Sequence, residues 1–289
     1  MILQQIINGL TLGSIYALLA LGYSMIFGVL SFINFAHGDV AMFGAYVTWY
    51  VAVQLGMNYG VALVAGILAA VLLGIGIEFI GYRPIRRASR LSAVIVSMGF
   101  AFVLETAVLI LFGTRSLSMP TFVENTSYRI GPAVVNSIQI WILGIGLVMM
   151  VLLTFIINKT KMGTAMRAVS LDQSTSALMG INVNRTISFT FAIGSALGAV
   201  SGIMMASYYT VVYSTMGSLI GTKGFSAVVL GGAGSIPGAM LGGILIGLIE
   251  SFAGTLFNAN VKEAASFVVL IFVLLFKPSG ILGKDVTKE

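Results

Sequence analysis

NKTKMGTAMRAVSLDQSTSALMGINVNR, residues 158–185, is the longest polar stretch away from the chain ends, and its reading decides the fold. On both sides of it the sequence is apolar enough to sit in lipid. The stretch itself divides into two short helices. In the first, Met162, Met166 and Val169 share one face, and Arg167 falls in the last turn, where a cation suits the negative end of the helix dipole. Ser170 or Asp172 can cap a second helix, 173–179, which stops at Gly180, the residue type that accepts the left-handed conformation after a helix end. A compact, stiff loop between membrane spans is the surface at which such a chain meets something soluble.

Composition supports that frame. Hydrophobic residues make up 58% of the 289 and charged residues 8%, against about 25% charged in a soluble domain. The fold class is therefore an all-α polytopic integral membrane protein forming a single transmembrane domain over 1–289. The opening residues, MILQQIINGL, lack the basic region and small-residue cleavage site of a secretory signal, so the first run is expected to be the first span itself. With no cysteine in the chain, disulfides, thiolate zinc sites and thiol catalysis are excluded. A net charge of +6 would suggest nucleic acid in a soluble protein, but in a membrane chain basic residues set topology.

A crossing helix needs about 20 apolar residues. Residues 6–33 exceed that, interrupted by Gly9, Gly13, Gly22 and Gly28; NFAHGD, 34–39, leads to a slightly short run, 40–55. The third run, 61–81, carries Glu78 and is followed by Arg83, Pro84, Arg86, Arg87 and Arg90. Further runs cover 91–113, 138–157, 186–208 and 264–276, with a polar loop at 114–137. Gly194, Gly198 and Gly202 leave one helix face nearly bare, which invites another helix. Residues 224–257 are continuously apolar yet contain GGAGSIPG, 231–238, which disfavours an unbroken helix. About eight spans plus this broken segment are expected.

Basic side chains collect on the cytoplasmic side. The loops around Arg83 and Lys159 and the C-terminal tail hold four, four and three, eleven in all, which leaves Arg115, Arg129, Lys223 and Lys262 outside. If the chain leaves the membrane near Tyr208 and ends inside, 224–257 must start and finish outside, which predicts a re-entrant piece, 225–233, and then a helix, 236–257. An external C-terminus is the alternative. A faint repeat relates AGILAAVLLGIGIE, 65–78, to AMLGGILIGLIE, 239–250, each ending in a lone glutamate. In opposite directions they would form an inverted repeat with substrate passing near its interface.

Ionisable groups within the spans are few: His37, Asp39, Glu78, Glu105 and Glu250. Each should face protein or water. For the glutamates the plain reading is a snorkelling or hydrogen-bonded residue at a helix end; the functional one is a place in the pathway. The lone His37 cannot build an ordinary metal site, and Asp39 either caps the next helix or relays protons with it. Glycine ladders such as Gly238, Gly242 and Gly247 read as packing seams. No catalytic constellation stands out, so the chain is not expected to be an enzyme. The nearest phrase to a phosphate-binding loop, GSLIGTKG at 217–224, has the wrong Lys-Thr order and no flanking strand. No cofactor is expected on this chain, and any energy from nucleotide arrives through another subunit.

Together, NFAHGDVAMFGAY (34–46), RPIRRASRLSAVIVSMG (83–99), GTAMRAVSLDQSTSALMGINV (163–183), KGFSAVVLGGAGSIPGAMLGGILIGLIE (223–250) and KPSGILG (277–283) resemble the permease subunits of Liv-type branched-chain amino-acid ABC transporters. The short N-terminus is more similar to the H-type than to the longer M-type. The resemblance implies an importer of two permeases, two cytoplasmic ATPases that hydrolyse the ATP, and an external binding protein, in a prokaryotic plasma membrane with loop and C-terminus cytoplasmic. It implies that Arg167, Asp172, Ala177 and Gly180 stand at the recurrent positions of the coupling motif, although the usual Glu-Ala-Ala opening is not literal here. For a zwitterionic substrate the expected path takes in Asn34, His37, Asp39, Glu78, Gly234, Ser235 and Glu250, where broken helices free backbone groups. A related importer of urea, short amides or other amino acids is an alternative, as is an ion-coupled secondary transporter using Glu78, Glu105 or Glu250.

Overall fold

A computed structural model describes residues 2–86, 88–121, 123–124, 126–257 and 259–283. Arg87 and the tail from Lys284, counted above among the cytoplasmic cations, lie outside these residues, as does the side chain of Arg90. The helices are α1 (Ile2–Leu30), α2 (His37–Trp49, prolonged by a π turn, Tyr50–Gln54), α3 (Tyr59–Ile77, prolonged by a π turn, Glu78–Tyr82), α4 (Arg83–Ile85), α5 (Arg90–Phe112), α6 (Ser137–Lys159), α7 (Lys161–Leu171), α8 (Gln173–Leu178), α9 (Val183–Tyr209), α10 (Met216–Gly231), α11 (Ile236–Leu256) and α12 (Ala259–Phe276). Short strands β1 (Leu117–Ser118) and β4 (Val211–Val212) pair antiparallel, and β2 (Ser127–Ile130) with β3 (Ala133–Asn136) makes a hairpin.

Local chemistry fixes many of the ends. Asn58 caps α3 by accepting from Gly60 N at 2.7 Å. Ser89 caps α5, and Asn136 with Gln139 forms a capping box at the start of α6. Ser235 accepts from Gly238 N at 3.2 Å to start α11, with Pro237 in its first turn, where a missing N–H costs nothing.

Cross-contacts give the direction of each helix. Gln4 bonds the backbone of Val134 in the hairpin, so α1 starts at the hairpin end. The ring of Trp49 donates to Ser118 O and Ser251 donates to Gln5 O, so α2 and α11 finish there. α6 leaves that end and delivers α7 and α8 to the opposite one, from which α9 returns. α1 and α9 form the centre: 89% and 72% of their most apolar windows are buried, against 28%, 17% and 28% for the spans built on α3, α5 and α6. The latter three present their apolar faces outward, as helices against lipid do. Gly9 and Gly13 of α1 meet Gly243 and Gly247 of α11 backbone to backbone, and a Cβ on Gly13 would lie 2.8 Å from the Cα of Ile244. On α9, Gly202 meets the backbone of Ala41 of α2, while Gly194 and Gly198 make room for the side chains of Ile26 and His37.

One sequence expectation is met in part and another changes. Among the described residues, six helices are long and apolar enough to cross a membrane: α1, α3 with α4, α5, α6, α9 and α11. The remaining apolar helices have 13, 16 and 18 residues (α2, α10 and α12); the first two are short of the roughly 20 that span about 30 Å, and α12 falls within the usual range of about 17–25. The break at Gly232–Ser235 is not the tip of a short re-entrant piece starting at residue 225. α10 begins nine residues earlier, at Met216, and is one continuous helix. Lys223, assigned to an outside loop by charge counting, lies within it and is 6% exposed. The physical reason is that its ammonium is neutralised inside the protein.

Candidate functional site

At the loop end, each turn of the chain is held by a side-chain cap. Thr160 accepts from Gly163 N at 3.0 Å, Asp172 from Thr175 N at 2.5 Å, and Asn182 from Arg185 N at 3.0 Å, starting α7, α8 and α9 in turn. The backbone N–H of Thr175 holds the Asp172 carboxyl below the usual carboxylate range. Gly180 sits at φ +84°, its N–H donating to Ala177 O at 3.0 Å while Ile181 N–H reaches back to Ser176 O. Arg167 does not serve its own helix end. It donates to the carbonyl of Ile157, the last turn of α6, and to Thr164, so it ties the loop to the preceding span. Gly163, Met166 and Val169 are buried against the bundle, with Met162 half-buried. Leu171 and Leu178 are 88% and 87% exposed, and Ala177 and Met179 are exposed beside them.

Directly above the loop lies a buried charge cluster. Glu78, fully buried in the π turn of α3, accepts from Arg83 at 3.0 Å, from Arg86 at 2.6 Å and from Ser188 of α9 at 2.8 Å. Arg86 also donates to Asn184 of α9 at 2.7 Å. Arg83, Arg86 and Asn184 share a cleft of about 470 Å³ with Gln173 and Ser174 of α8. The arginines read from sequence as topology signals are thus partners of a span carboxylate.

A second cluster sits towards the hairpin end. Glu250 of α11 is fully buried, 2.6 Å from Lys223 of α10 and 3.6 Å from Lys262 of α12, which donates to Tyr209 at 2.9 Å. The sequence reading took Lys223 and Lys262 only as outside charges and missed their pairing with Glu250; the available signal was a lysine inside an apolar helical run.

Asn34 accepts from Ala36 N at 3.1 Å and from Tyr82 OH at 2.9 Å, fixing the turn between α1 and α2 to the end of α3. His37 is fully buried edge-on to Tyr23, ring centroids 4.7 Å apart, and fills the space left by Gly22 and Gly198. Asp39 lies two residues on, also in the first turn of α2 and against Gly217 of α10. Gly234 and Ser235 stand apart from these at the loop end, in the α10–α11 turn, where the 277–283 phrase closes over α10: Ile281 and Leu282 N–H donate to Leu230 O and Gly231 O at 2.9 Å. The seven residues expected along a path therefore fall into four places, around Glu78 and Asn34, around Asp39 and His37, around Glu250, and at the Gly234–Ser235 turn.

A bundle of apolar helices of spanning length defines a polytopic membrane protein. The family profile described as branched-chain amino acid transport system / permease component matches residues 5–275. This chain belongs to that family. It is 40% identical over 296 residues to the high-affinity branched-chain amino acid transport system permease protein BraD of Pseudomonas aeruginosa, covering 98% of this chain and 96% of that one. It is 40% identical over 297 residues, with the same coverage, to the corresponding LivH permease of Escherichia coli. Over 145 residues it is 27% identical to the ribose import permease protein RbsC of Haemophilus influenzae, covering 47% of this chain and 44% of that one. A solved chain described as PsaBC from Streptococcus pneumoniae in complex with Fab shares the fold, with a TM-score of 0.51 and 13% identity over 94% of this chain and 91% of that one.

Proposed function

We propose that this chain is the membrane-spanning subunit of an ATP-driven importer of branched-chain or similar hydrophobic amino acids, working in a prokaryotic plasma membrane with a second permease, two ATPases and an external binding protein. The observation that carries the reading is the α7–α8 loop: a rigid, three-times-capped element that exposes Leu171, Ala177, Leu178 and Met179 although it lies outside the apolar spans. Exposed apolar side chains on a stiff polar loop suit a docked partner. With the basic loops inside, this end is cytoplasmic and the hairpin faces out. Arg167, Asp172, Ala177 and Gly180 then form the coupling element, and no cofactor is held by this chain itself.

The halves α1, α2, α3, α5 and α9, α10, α11, α12 are best read as an inverted repeat. In each, a long central helix ends in a non-glycine residue with positive φ, Ser31 at 57° and Thr210 at 56°, followed by a short helix and then by a span carrying a doubly neutralised glutamate. α3 and α11 run in opposite directions. Movement of the docked loop reaches the spans through the bond from Arg167 to the Ile157 carbonyl of α6 and through the Glu78 cluster, which joins α3, α4 and α9 beside α8. Rocking of one half against the other would open the path alternately to the two sides.

Reconstitution tests this. Proteoliposomes holding the chain with its ATPases and second permease should accumulate leucine only with ATP inside and binding protein outside. Uptake by the chain alone, driven by an ion gradient, would overturn the proposal in favour of a secondary transporter.

A further inference from the structure

We propose that the cavity where the first turns of α2 and α10 meet is an ammonium subsite of the translocation path, with Asp39 and Glu105 as its two carboxylates. This deepens, and rests on, the reading of the chain as an amino-acid permease. Four carboxylates lie within the long spans and α2, and they divide cleanly; a fifth, Glu263 of α12, is exposed and stands outside this set. Glu78 and Glu250 each have two cationic partners, whereas among the described residues Asp39 and Glu105 form no ion pair. The two without partners share one cavity of about 190 Å³, and no residue lining it is basic. Asp39 is 2% exposed and its Oδ1 has no hydrogen-bond partner. Glu105 is half-buried on α5, about one turn from Phe102, which is 70% exposed. A carboxylate on that apolar helix requires water or a cation rather than hydrocarbon.

The remaining lining matches the rest of an amino acid. Phe35, Phe102 and Phe225 offer apolar and π surface to an aliphatic side chain and to a cation. α10 has neither a side-chain cap nor an acidic residue in its first turn, so its positive end is left for the substrate carboxylate, whereas the first turn of α2 already carries Asp39. The volume is below the roughly 300–1,000 Å³ of sites that enclose a drug-sized ligand, as suits a subsite whose other wall belongs to the second permease.

The absence of cysteine makes a direct test available. Ser218→Cys, exposed at the cavity, is placed in the reconstituted complex and labelled with thiosulfonate reagents of either charge. The cationic reagent should react about ten-fold faster than the anionic one, because a cleft lined by one sign of charge concentrates the opposite ion. Glu105→Gln and Asp39→Asn, separately and together, should bring the ratio towards unity; two independent variants guard against one that fails to fold. Leucine should slow labelling severalfold, and 4-methyl-2-oxopentanoate, which lacks the ammonium, should not. Equal rates for the two charges, equal protection by both compounds, or a ratio unmoved by either substitution would overturn the subsite. A charge preference seen in the isolated chain but lost in the complex would place a partner's cation there and overturn it as well. Leucine uptake by the parent complex, which lacks Ser218→Cys, is measured alongside: no uptake overturns the amino-acid reading itself, whereas uptake with any of the negative labelling results overturns only the subsite.

Discussion

Glu250 and Lys223 illustrate how a charge becomes tolerable inside an apolar bundle. A carboxylate in hydrocarbon is expensive, and burying it against one ammonium at 2.6 Å with a second at 3.6 Å turns two costs into a joint one. The consequence is asymmetric. Glu250→Ala leaves Lys223 buried without its partner and is expected to destabilise the folded chain by about 3–5 kcal/mol, the usual cost of breaking a buried pair. The double replacement Glu250→Leu with Lys223→Met removes both charges and should recover most of that loss, Lys262 keeping its bond to Tyr209. Thermal unfolding of the purified chain in detergent measures both. A single variant as stable as the parent would show that the pair contributes little. Glu78 is held differently, by two arginines and a serine on a neighbouring helix, so its role extends to joining α3, α4 and α9.

At the scale of the element, the α7–α8 loop depends on single backbone conformations. Gly180 has φ +84°, and nothing lies within 4 Å of where a Cβ would stand, so the constraint is conformational and not one of space. A β-branched residue there must pay about 1–2 kcal/mol for the left-handed region, or the turn between α8 and α9 must change. Gly180→Val is therefore expected to leave the chain in the membrane but to lower transport relative to ATP hydrolysis, whereas Gly180→Asn, which accepts that conformation, should transport nearly as the parent does. Parallel assays of leucine uptake and ATPase rate in the same proteoliposomes decide it, and normal transport by Gly180→Val would refute the lever. This loop was legible in the sequence because its determinants are local: Asp172 three residues before the N–H it accepts from, and Gly180 directly after the helix it ends. α10 was not legible for the converse reason. Its start at Met216 has no side-chain cap and is set by Gly217 and Gly221 packing on Gly38 and Asp39, residues far away in sequence. The partners of Lys223 and Arg86 were hidden likewise, since periodicity places a charge on a helix but does not say which other helix will neutralise it. Apolar runs located the long spans well; the short helices α2 and α10 blurred into their neighbours because glycine-rich loops in lipid are nearly as apolar as helices.

For the whole molecule, the decisive feature is the parity of the last three helices. α9 ends at the hairpin side, where Met119 N–H donates to Thr210 O. α10 then runs to the loop end, turns at Gly232–Ser235 under the 277–283 phrase, and α11 returns to pack Ser251 against Gln5. Both ends of this helix pair thus face the hairpin side, while its turn lies with α7 and α8. That arrangement lets α10 and α2 start near each other from opposite halves, which places the uncapped helix ends and Asp39 at one locus between the two halves. Topology follows directly and can be read by labelling, again because the chain contains no cysteine. In sealed spheroplasts an impermeant maleimide should label Glu124→Cys, in the loop before the hairpin, and leave Ala233→Cys and Ser174→Cys unlabelled until the membrane is opened. Ala233 and Ser174 are both exposed in the folded chain, so lack of reaction would report sidedness and not burial. Labelling of Ala233→Cys from outside, with Ser174→Cys still protected, would mean that the turn does not share a side with the coupling loop. The inverted repeat would then be lost with it, since α11 could no longer run against α3.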